Sequence, residues 1–360
     1  VLGVDHNWRP SARWNVRTRL LGSRIEQAGN DVQDFGATVW ADYEMDHGWR
    51  QQWIAMHFGN DLQLNDFGYL SRNSTNYLHW EVRRRFTGLP EASRYSSKDW
   101  RWRVSSNHNN HGEKLNDQFR MSREGQLRDG SYEYAQINVN SAGISDTLLR
   151  GNGIVRLPAN LNAYFEYERP RKGNWAHEVE VEAFGGGLAG NRKLGSAFWY
   201  GATYFINDAF SLNAGLNLVR RPDWLIWQGA AQGDLVGAFD GRETTLRAGL
   251  DWNIDPRQEL RVKLEAIAIS ARAHDAWRFD AAGHAVAASD TVEDFQVRNL
   301  GFQVRYRYEL APLSYLYVVY ARGGYEQLAG TDGTDDALRD SFSLRNDEQL
   351  IVKLSYRFEL

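Results

Sequence analysis

Charged and apolar residues alternate along several stretches of the 360-residue sequence. Around Arg305 and Arg307, for example, the alternate positions are Val304, Tyr306 and Tyr308. Because successive side chains of a β-strand point to opposite faces, such a stretch presents one charged face and one apolar face. The dry core of a soluble sandwich cannot tolerate a charged face, whereas a water-filled lumen can.

We predict that one set of charged residues shares this face and lines a lumen. Rows of charge of this kind would set an ion preference, although arginine and glutamate could equally pair across the lumen and plug it. The predicted lumen-lining residues are Arg13, Arg17, Arg19, Arg101, Arg103, Glu178, Glu180, Glu182, Arg247, Lys263, Glu265, Arg305, Arg307, Glu309 and Lys353.

Two other segments carry residue types that bind metals. His108 and His111 offer imidazoles of the kind that bind zinc or copper, and four aspartates between residues 332 and 340 offer oxygen ligands for calcium. We interpret both as polar surface loops, because neither has the spacing of a known metal site. No Gly-x-Ser-x-Gly motif is present. The sequence therefore predicts no catalytic, metal or cofactor-binding residues. If the strands form a barrel, as argued below, a hydrolase with its active site at the rim of that barrel is the less favoured alternative.

Composition narrows the class of protein further. Charged residues make up 24% and aromatic residues 13% of the chain, and the formal net charge is −4. A strongly basic nucleic-acid binder and a disordered chain are both excluded by these values. The absence of cysteine excludes disulfides and zinc-thiolate sites. The longest apolar run, residues 316–321, is far shorter than the roughly 18 residues that a membrane helix requires.

The elements that would position the charged rows are long strands. Alternation persists over segments such as 175–183, 210–218, 299–310 and 350–360, and tilted strands of about 9–11 residues span a bilayer. Aromatic residues concentrate near the ends of the apolar faces, as in the girdle of a membrane barrel. The predicted girdle and assembly-signal residues are Trp175, Trp252, Tyr306, Tyr308, Tyr356, Phe358 and Leu360.

Short and long connections alternate, which is the layout of an outer-membrane barrel. The predicted long loops are 59–72, 106–114, 221–241, 272–293 and 328–345. Counting back from the last strand gives about 17 strands, within a range of 16–18. Residues 149–157 could form a strand of their own and so change the parity. Because closed bacterial barrels normally have even strand numbers, we expect further strands upstream.

Four short stretches resemble the C-terminal barrel region of DUF5916, a bacterial family of unknown function. They are residues 3–9, 64–73, 250–256 and 352–358, with sequences GVDHNWR, LNDFGYLSRN, LDWNIDP and VKLSYRF. The resemblance implies an outer-membrane barrel, often preceded by a domain similar to family 9 carbohydrate-binding modules. It implies no activity and no catalytic residue.

The sequence thus predicts an all-β protein, a transmembrane antiparallel up-and-down β-barrel formed by residues 1–360, which could belong to a larger barrel. The predicted location is the bacterial outer membrane. The favoured function is a channel or passive transporter, or the membrane part of a transport assembly; the alternative is a plugged barrel that is structural or docks a partner. Expected partners are outer-membrane lipid and lipopolysaccharide, the barrel-assembly machinery and other envelope proteins, but not nucleic acid.

Overall fold

The fold is almost entirely β-sheet. A computed structural model describes residues 1–27, 29–64, 70, 72–188 and 192–358. Among these residues, no helix is long and apolar enough to cross a membrane. The elements are β1 (Leu2–Trp8), β2 (Trp14–Gln27), β3 (Asn30–Glu44), β4 (Trp49–Phe58), β5 (Thr75–Phe86), β6 (Tyr95–His108), β7 (Lys114–Leu127), β8 (Tyr132–Asn140), β9 (Gly143–Ser145), β10 (Val155–Leu157), β11 (Asn160–Lys172), β12 (Trp175–Gly186), β13 (Lys193–Phe205), β14 (Phe210–Trp227), β15 (Val236–Asp255), β16 (Gln258–Phe279), β17 (Ala285–Ala287), β18 (Phe295–Ala311), β19 (Ser314–Ala329), α1 (Thr334–Ser341) and β20 (Asp347–Ser355).

One antiparallel sheet of 18 strands contains nearly all of these elements. The short β17 lies beside β16, and the other 17 strands form an up-and-down meander, so the predicted fold class and strand number are confirmed. Among the described strands, β1 pairs only with β2 and β20 only with β19. With 17 strands in alternation, β1 and β20 run in the same direction and cannot pair with each other as antiparallel neighbours. The expected upstream strands stay a prediction.

The two rims of the sheet differ as the sequence predicts. Connections at one rim, the turn rim, are short, as at 173–174, 256–257 and 312–313. Those at the other, the loop rim, include 59–74, 141–159 and 280–294. The boundaries predicted for loops 106–114, 221–241 and 272–293 were wrong, because β6, β14, β15 and β16 continue into them. Backbone hydrogen bonding needs no apolar side chains, so a hairpin can extend beyond the apolar alternation.

The segment 142–160 adds no strand to the meander. Its strands β9 and β10 pair only with each other, in a separate two-stranded hairpin. At its tip Leu149 is completely buried and packs with Val155, Leu188 and Val236. This cluster joins the connection between β8 and β11 to the extended ends of β14 and β15 at the loop rim. The number of strands in the meander therefore stays odd, at 17.

The register gives every central strand one polar and one apolar face. On β6, Arg103 pairs with Glu81 of β5 on the polar face, whereas the next residue, Val104, pairs with Trp80 on the apolar face. Val104 is 47% exposed, because the described part of the chain leaves this region of the face uncovered. A wide exposed apolar band of this kind is what an outer-membrane barrel presents to lipid.

Aromatic side chains gather on the apolar face close to the turn rim. The rings of Trp175 and Tyr204 form a tilted pair, as do those of Phe210 and Trp252, with ring centroids 4.7 and 5.7 Å apart. Of the residues predicted for the girdle, Trp175 and Trp252 thus lie in such pairs. Tyr306 and Tyr308 follow on the same face of β18, and Tyr356 and Phe358 lie just after β20 with ring centroids 5.1 Å apart. Leu360 lies outside the described residues.

A short helix, α1, covers part of the apolar face at the loop rim, where the sequence analysis predicted only a loop. Below it, Ala266 and Ala268 of β16 are completely buried, and Leu300 packs against Leu344. The hydroxyls of Ser270 and Thr334 are 2.6 Å apart, which ties the helix to β16. Small residues on β16 allow the helix to approach the strand closely. Because alanine and serine fit an alternating strand without signalling a packed helix, the position of α1 was not evident from alternation alone.

Exchange of Val104 for arginine tests the assignment of the two faces. Arginine on the lipid-facing side near the bilayer midplane costs about 2–4 kcal/mol of folding free energy in a membrane barrel. We expect Val104→Arg to show a loss of that order in a urea titration of vesicle-inserted protein. Ser105→Arg, one residue further on the polar face, is the matched control and should change stability little. Equal losses in both variants would contradict the assignment.

Candidate functional site

The polar face of the sheet brings the predicted charged residues together. The register places all of them but one on this single face, in rows that run across neighbouring strands: Arg17, Arg19, Arg101, Arg103, Glu178, Glu180, Glu182, Arg247, Lys263, Glu265, Arg305, Arg307, Glu309 and Lys353. The exception is Arg13, which lies in the turn before β2 and pairs with Asp46 at the turn rim. That these residues line a lumen stays a prediction.

Arginines on β5 and β6 pair with carboxylates on neighbouring strands. Arg103 contacts Glu81 at 2.6 Å, and Arg101 contacts Glu124 of β7 at 2.8 Å. Asp99, whose side chain is 7% exposed, accepts a hydrogen bond from Arg83 at 2.6 Å. Because the partners lie on adjacent strands, charge on this part of the face is neutralised locally rather than across an open space.

A second network centres on Glu259 of β16, whose side chain is only 8% exposed. Arg307 and Arg305 of β18 contact its carboxylate at 3.0 and 3.6 Å, and Arg261 contacts it from the same strand. One strand away, Arg247 of β15 donates to Glu265 at 2.6 Å. Glu259 therefore holds three guanidinium groups that would otherwise repel one another.

A third region, which we call the acidic stripe, consists of Glu166, Glu168, Glu178, Glu180 and Glu182 on β11 and β12. In the register Glu166 lies opposite Glu180, and Glu168 lies opposite Glu178. No ion pair joins any of the five to an arginine or lysine of the described residues. Carboxylate oxygens of Glu166, Glu168 and Glu178 all lie within 4.8 Å of one another. Like charges directly opposite on neighbouring strands destabilise a sheet, so the stripe is a site where a bound or passing cation is favourable.

Two adjoining grooves run along the polar face beside the stripe. One, of about 460 Å³, is lined by Glu178, Trp199, Gly201, Gly215 and Arg247 among others. The other, of about 570 Å³, continues past Arg247 toward β19. Gly201 of β13 lies opposite Gly215 of β14, and the ring of Trp199 lies over both glycines, between the acidic stripe and Arg247.

Sequence reasoning missed several important members of the polar face. Glu81, Arg83, Glu166 and Glu168 alternate with apolar residues just as the predicted residues do, so the signal to find them was present. The central role of Glu259 had no such signal, because it depends on which strand lies beside β16. Besides the three predicted glutamates of the acidic stripe, the predicted residues Lys263, Glu309 and Lys353 form no ion pair with a described residue.

The histidines at the loop rim lie among amide and carboxylate groups. His108 and His111 lie on either side of Asn109, which is 1% exposed. The side-chain amide of Asn109 donates hydrogen bonds to Glu113 and Asp146, so this asparagine holds the turn together. At the loop rim, His274 lies 3.3 Å from Asp223 through Nε2 and 2.9 Å from Asp275 through Nδ1. Both ring nitrogens thus face carboxylates.

The loops at the loop rim are tied to each other and to the polar face. Leu62 is 1% exposed and lies beside Gly36, and Asp34 accepts a hydrogen bond from the Asp61 amide at 2.8 Å. Arg72 donates to Asp146 at 2.6 Å and so joins loop 59–74 to loop 141–159. Burial opposes ionisation of Asp146, but the hydrogen bonds from Arg72 and Asn109 outweigh it and lower the pKa of the carboxyl.

A family model described as a domain of unknown function, DUF5916, matches residues 4–359. The chain belongs to the DUF5916 family. The predicted resemblance is therefore confirmed over nearly the whole chain, although part of the stretch 64–73 lies outside the described residues. Comparison with curated proteins gives no match for this DUF5916 chain.

Several solved structures resemble the DUF5916 chain at low identity. The FrpB iron transporter from Neisseria meningitidis is 11% identical with a TM-score of 0.50, over 99% of this chain and 64% of its own. The ferric-catecholate import receptor Fiu from E. coli K12 is 11% identical with a TM-score of 0.45, over 93% and 64%. OmpT of Vibrio cholerae is 13% identical with a TM-score of 0.31, over 83% and 99%. The likeness to FrpB shows an outer-membrane barrel fold, and this chain spans less than two thirds of FrpB and Fiu.

Removal of the Glu259 charge tests the second network. Glu259→Gln leaves three partly buried guanidinium groups without their shared partner, which should cost about 3 kcal/mol of unfolding free energy. Glu265→Gln, on the same strand, removes a pair that is about half exposed and should cost less than about 1 kcal/mol. Denaturant titrations of the two variants should separate them, and equal stabilities would contradict the central role of Glu259.

The contact between Arg72 and Asp146 predicts a loop that loosens in acid. A carboxyl with a lowered pKa contributes stability that is complete above its ordinary value, near pH 4, and is lost as pH falls through the lowered value. Hydrogen exchange in residues 141–159 should therefore increase below about pH 4. Asp146→Asn should already show the faster exchange at pH 7, and an unchanged rate would contradict the tie.

Proposed function

We propose that this chain forms an outer-membrane channel or passive transporter whose polar face lines the passage and favours cations. The observation that carries the proposal is the acidic stripe, five glutamates without a cationic partner among the described residues. On the rest of the polar face most arginines have carboxylates beside them, so their charges largely cancel. Uncompensated carboxylates leave a negative potential that attracts cations and repels anions.

The two grooves support an open passage rather than a plugged one. Ion pairs on the polar face join neighbouring strands and lie along the wall, as do Arg103 with Glu81 and Arg247 with Glu265. A plug formed by the charged side chains would instead need pairs between distant strands. Leu62 packs beside Gly36 on the polar face, so loop 59–74 would narrow the passage at the loop rim and limit solutes by size.

Catalysis has less support. Among the described residues, His274 contacts the carboxylates of Asp223 and Asp275, but no serine or threonine hydroxyl forms a hydrogen bond with its ring. The proposal therefore contains no chemical step, and the outer-membrane location is part of it.

Single-channel recording of the full chain in planar bilayers tests the proposal. In a salt gradient the reversal potential should indicate a cation preference. Replacement of the five stripe glutamates by glutamine should abolish or invert that preference, because it removes a block of five neighbouring carboxylates that have no cationic partner among the described residues. Glu265→Gln is the matched control, since it also removes a carboxylate from this face, but one that is paired with Arg247. This variant should reduce the cation preference only slightly.

Arg305→Glu and Arg307→Glu provide a change in the opposite direction. Each adds negative charge to the wall and should raise the cation preference. Folded, heat-modifiable protein that never conducts would overturn the channel proposal and favour the plugged, partner-docking alternative. An anion preference in the unaltered protein would overturn the role of the acidic stripe.

A further inference from the structure

The apolar face ends at the loop rim in a group of exposed arginines, which we call the rim arginines: Arg220 of β14, Arg242 of β15 and Arg272 of β16. In the register Arg220 lies opposite Arg242, and Arg272 lies opposite Asp240, one row further toward the loops. No bulge interrupts β14 or β15 between these positions and the apolar rows. The three side chains therefore lie on the same face as the lipid-facing residues, not on the polar face.

The rim arginines have little to bind within the chain. Among the described residues, none of the three donates a hydrogen bond. The nearest carboxylate, Asp240, lies 3.7 Å from Arg220 and 3.9 Å from Arg242, beyond good hydrogen-bonding distance. The side chains of Arg220 and Arg242 are 58% and 61% exposed. One carboxylate thus offsets part of three positive charges, and the guanidinium donors remain available.

Their position relative to the apolar band indicates what they could meet. The row directly below contains Leu218, which is 43% exposed, and its register partner Phe198 on the neighbouring strand, which is 39% exposed. Adjacent strands lie about 4.8 Å apart and alternate residues about 7 Å apart. Three guanidinium groups are therefore clustered within the width of one lipid headgroup, at the height where the apolar surface ends.

We propose that the rim arginines bind the phosphorylated headgroup of lipopolysaccharide. Arginine binds phosphate through paired, charge-assisted hydrogen bonds, and several arginines can share one diphosphorylated headgroup. The acyl chains of the same molecule would lie against the exposed Leu218 and Phe198 below. The commitment to a lipid rather than to a free phosphate rests on this continuity between the cationic group and the apolar band.

The proposal rests on the outer-membrane location with the loop rim outward, but not on conduction. Helix α1 lies beside the site, since Ser270, which contacts Thr334, is the register partner of Arg242. Bound lipid would therefore be confined between α1 and the end of β13. The surface is thus bounded on one side by protein and open on the other toward the bilayer.

Binding of labelled lipid A to the full chain in detergent tests the proposal. The triple variant R220Q/R242Q/R272Q should bind diphosphorylated lipid A at least about tenfold more weakly, because each lost charge-assisted contact is among the stronger hydrogen bonds. The control R9Q/R171Q/R257Q removes three arginines at the turn rim and should bind within about twofold of the unaltered chain. Heat-modifiable mobility on gels verifies that both variants fold.

Two further probes identify the source of the phosphate. Dephosphorylated lipid A should bind the unaltered chain as weakly as diphosphorylated lipid A binds R220Q/R242Q/R272Q. Inorganic phosphate should compete poorly with labelled lipid A for the unaltered chain. The proposal would be overturned if dephosphorylated lipid A or phosphatidylglycerol bound the unaltered chain as tightly as diphosphorylated lipid A does. It would also be overturned if the triple variant bound diphosphorylated lipid A as tightly as the unaltered chain does. Since the rim arginines lie off the polar face, the triple variant should keep its single-channel conductance, so failure of either proposal is distinguishable from failure of the other.

Discussion

Backbone hydrogen bonding between neighbouring strands is the constraint on which the rest of this structure depends. A strand that crosses a bilayer must satisfy its amides and carbonyls through other strands, because lipid offers no partner. The resulting sheet imposes a period of two on the side chains. One face must then suit lipid and the other water, and every functional feature of the chain follows from which residues occupy which face.

The polar face shows how a sheet carries many charges without losing stability. Where Arg103 lies opposite Glu81, or Arg307 opposite Glu259, the register itself supplies the partner. The acidic stripe departs from this rule, because glutamates lie opposite glutamates there. Such an arrangement has an electrostatic cost in the empty protein, and the cost falls when cations are present. A functional face can therefore be recognised where local neutralisation fails.

The apolar face is asymmetric from one rim to the other. Aromatic pairs such as Trp175 with Tyr204 lie at the turn rim, where indole and phenol groups suit the boundary between lipid and water. The rim arginines lie at the loop rim, together with the helix α1. The two boundaries thus present different chemistry, which is what a bilayer with two different leaflets requires.

The sequence by itself determined the period of two, and with it the fold class, the strand number and the shared face of all but one of the residues predicted to line a lumen. Those properties are local, because alternation along one strand is enough to establish them. The partners were decided only by the tertiary structure: Glu259 becomes a centre because β18 lies beside β16, and the stripe forms because β11 lies beside β12. Alternation also gave no sign of the loop-rim cluster around Leu149 or of the seat of α1 on Ala266 and Ala268. Contacts between strands and loops distant in sequence depend on register and packing, which a single strand does not encode.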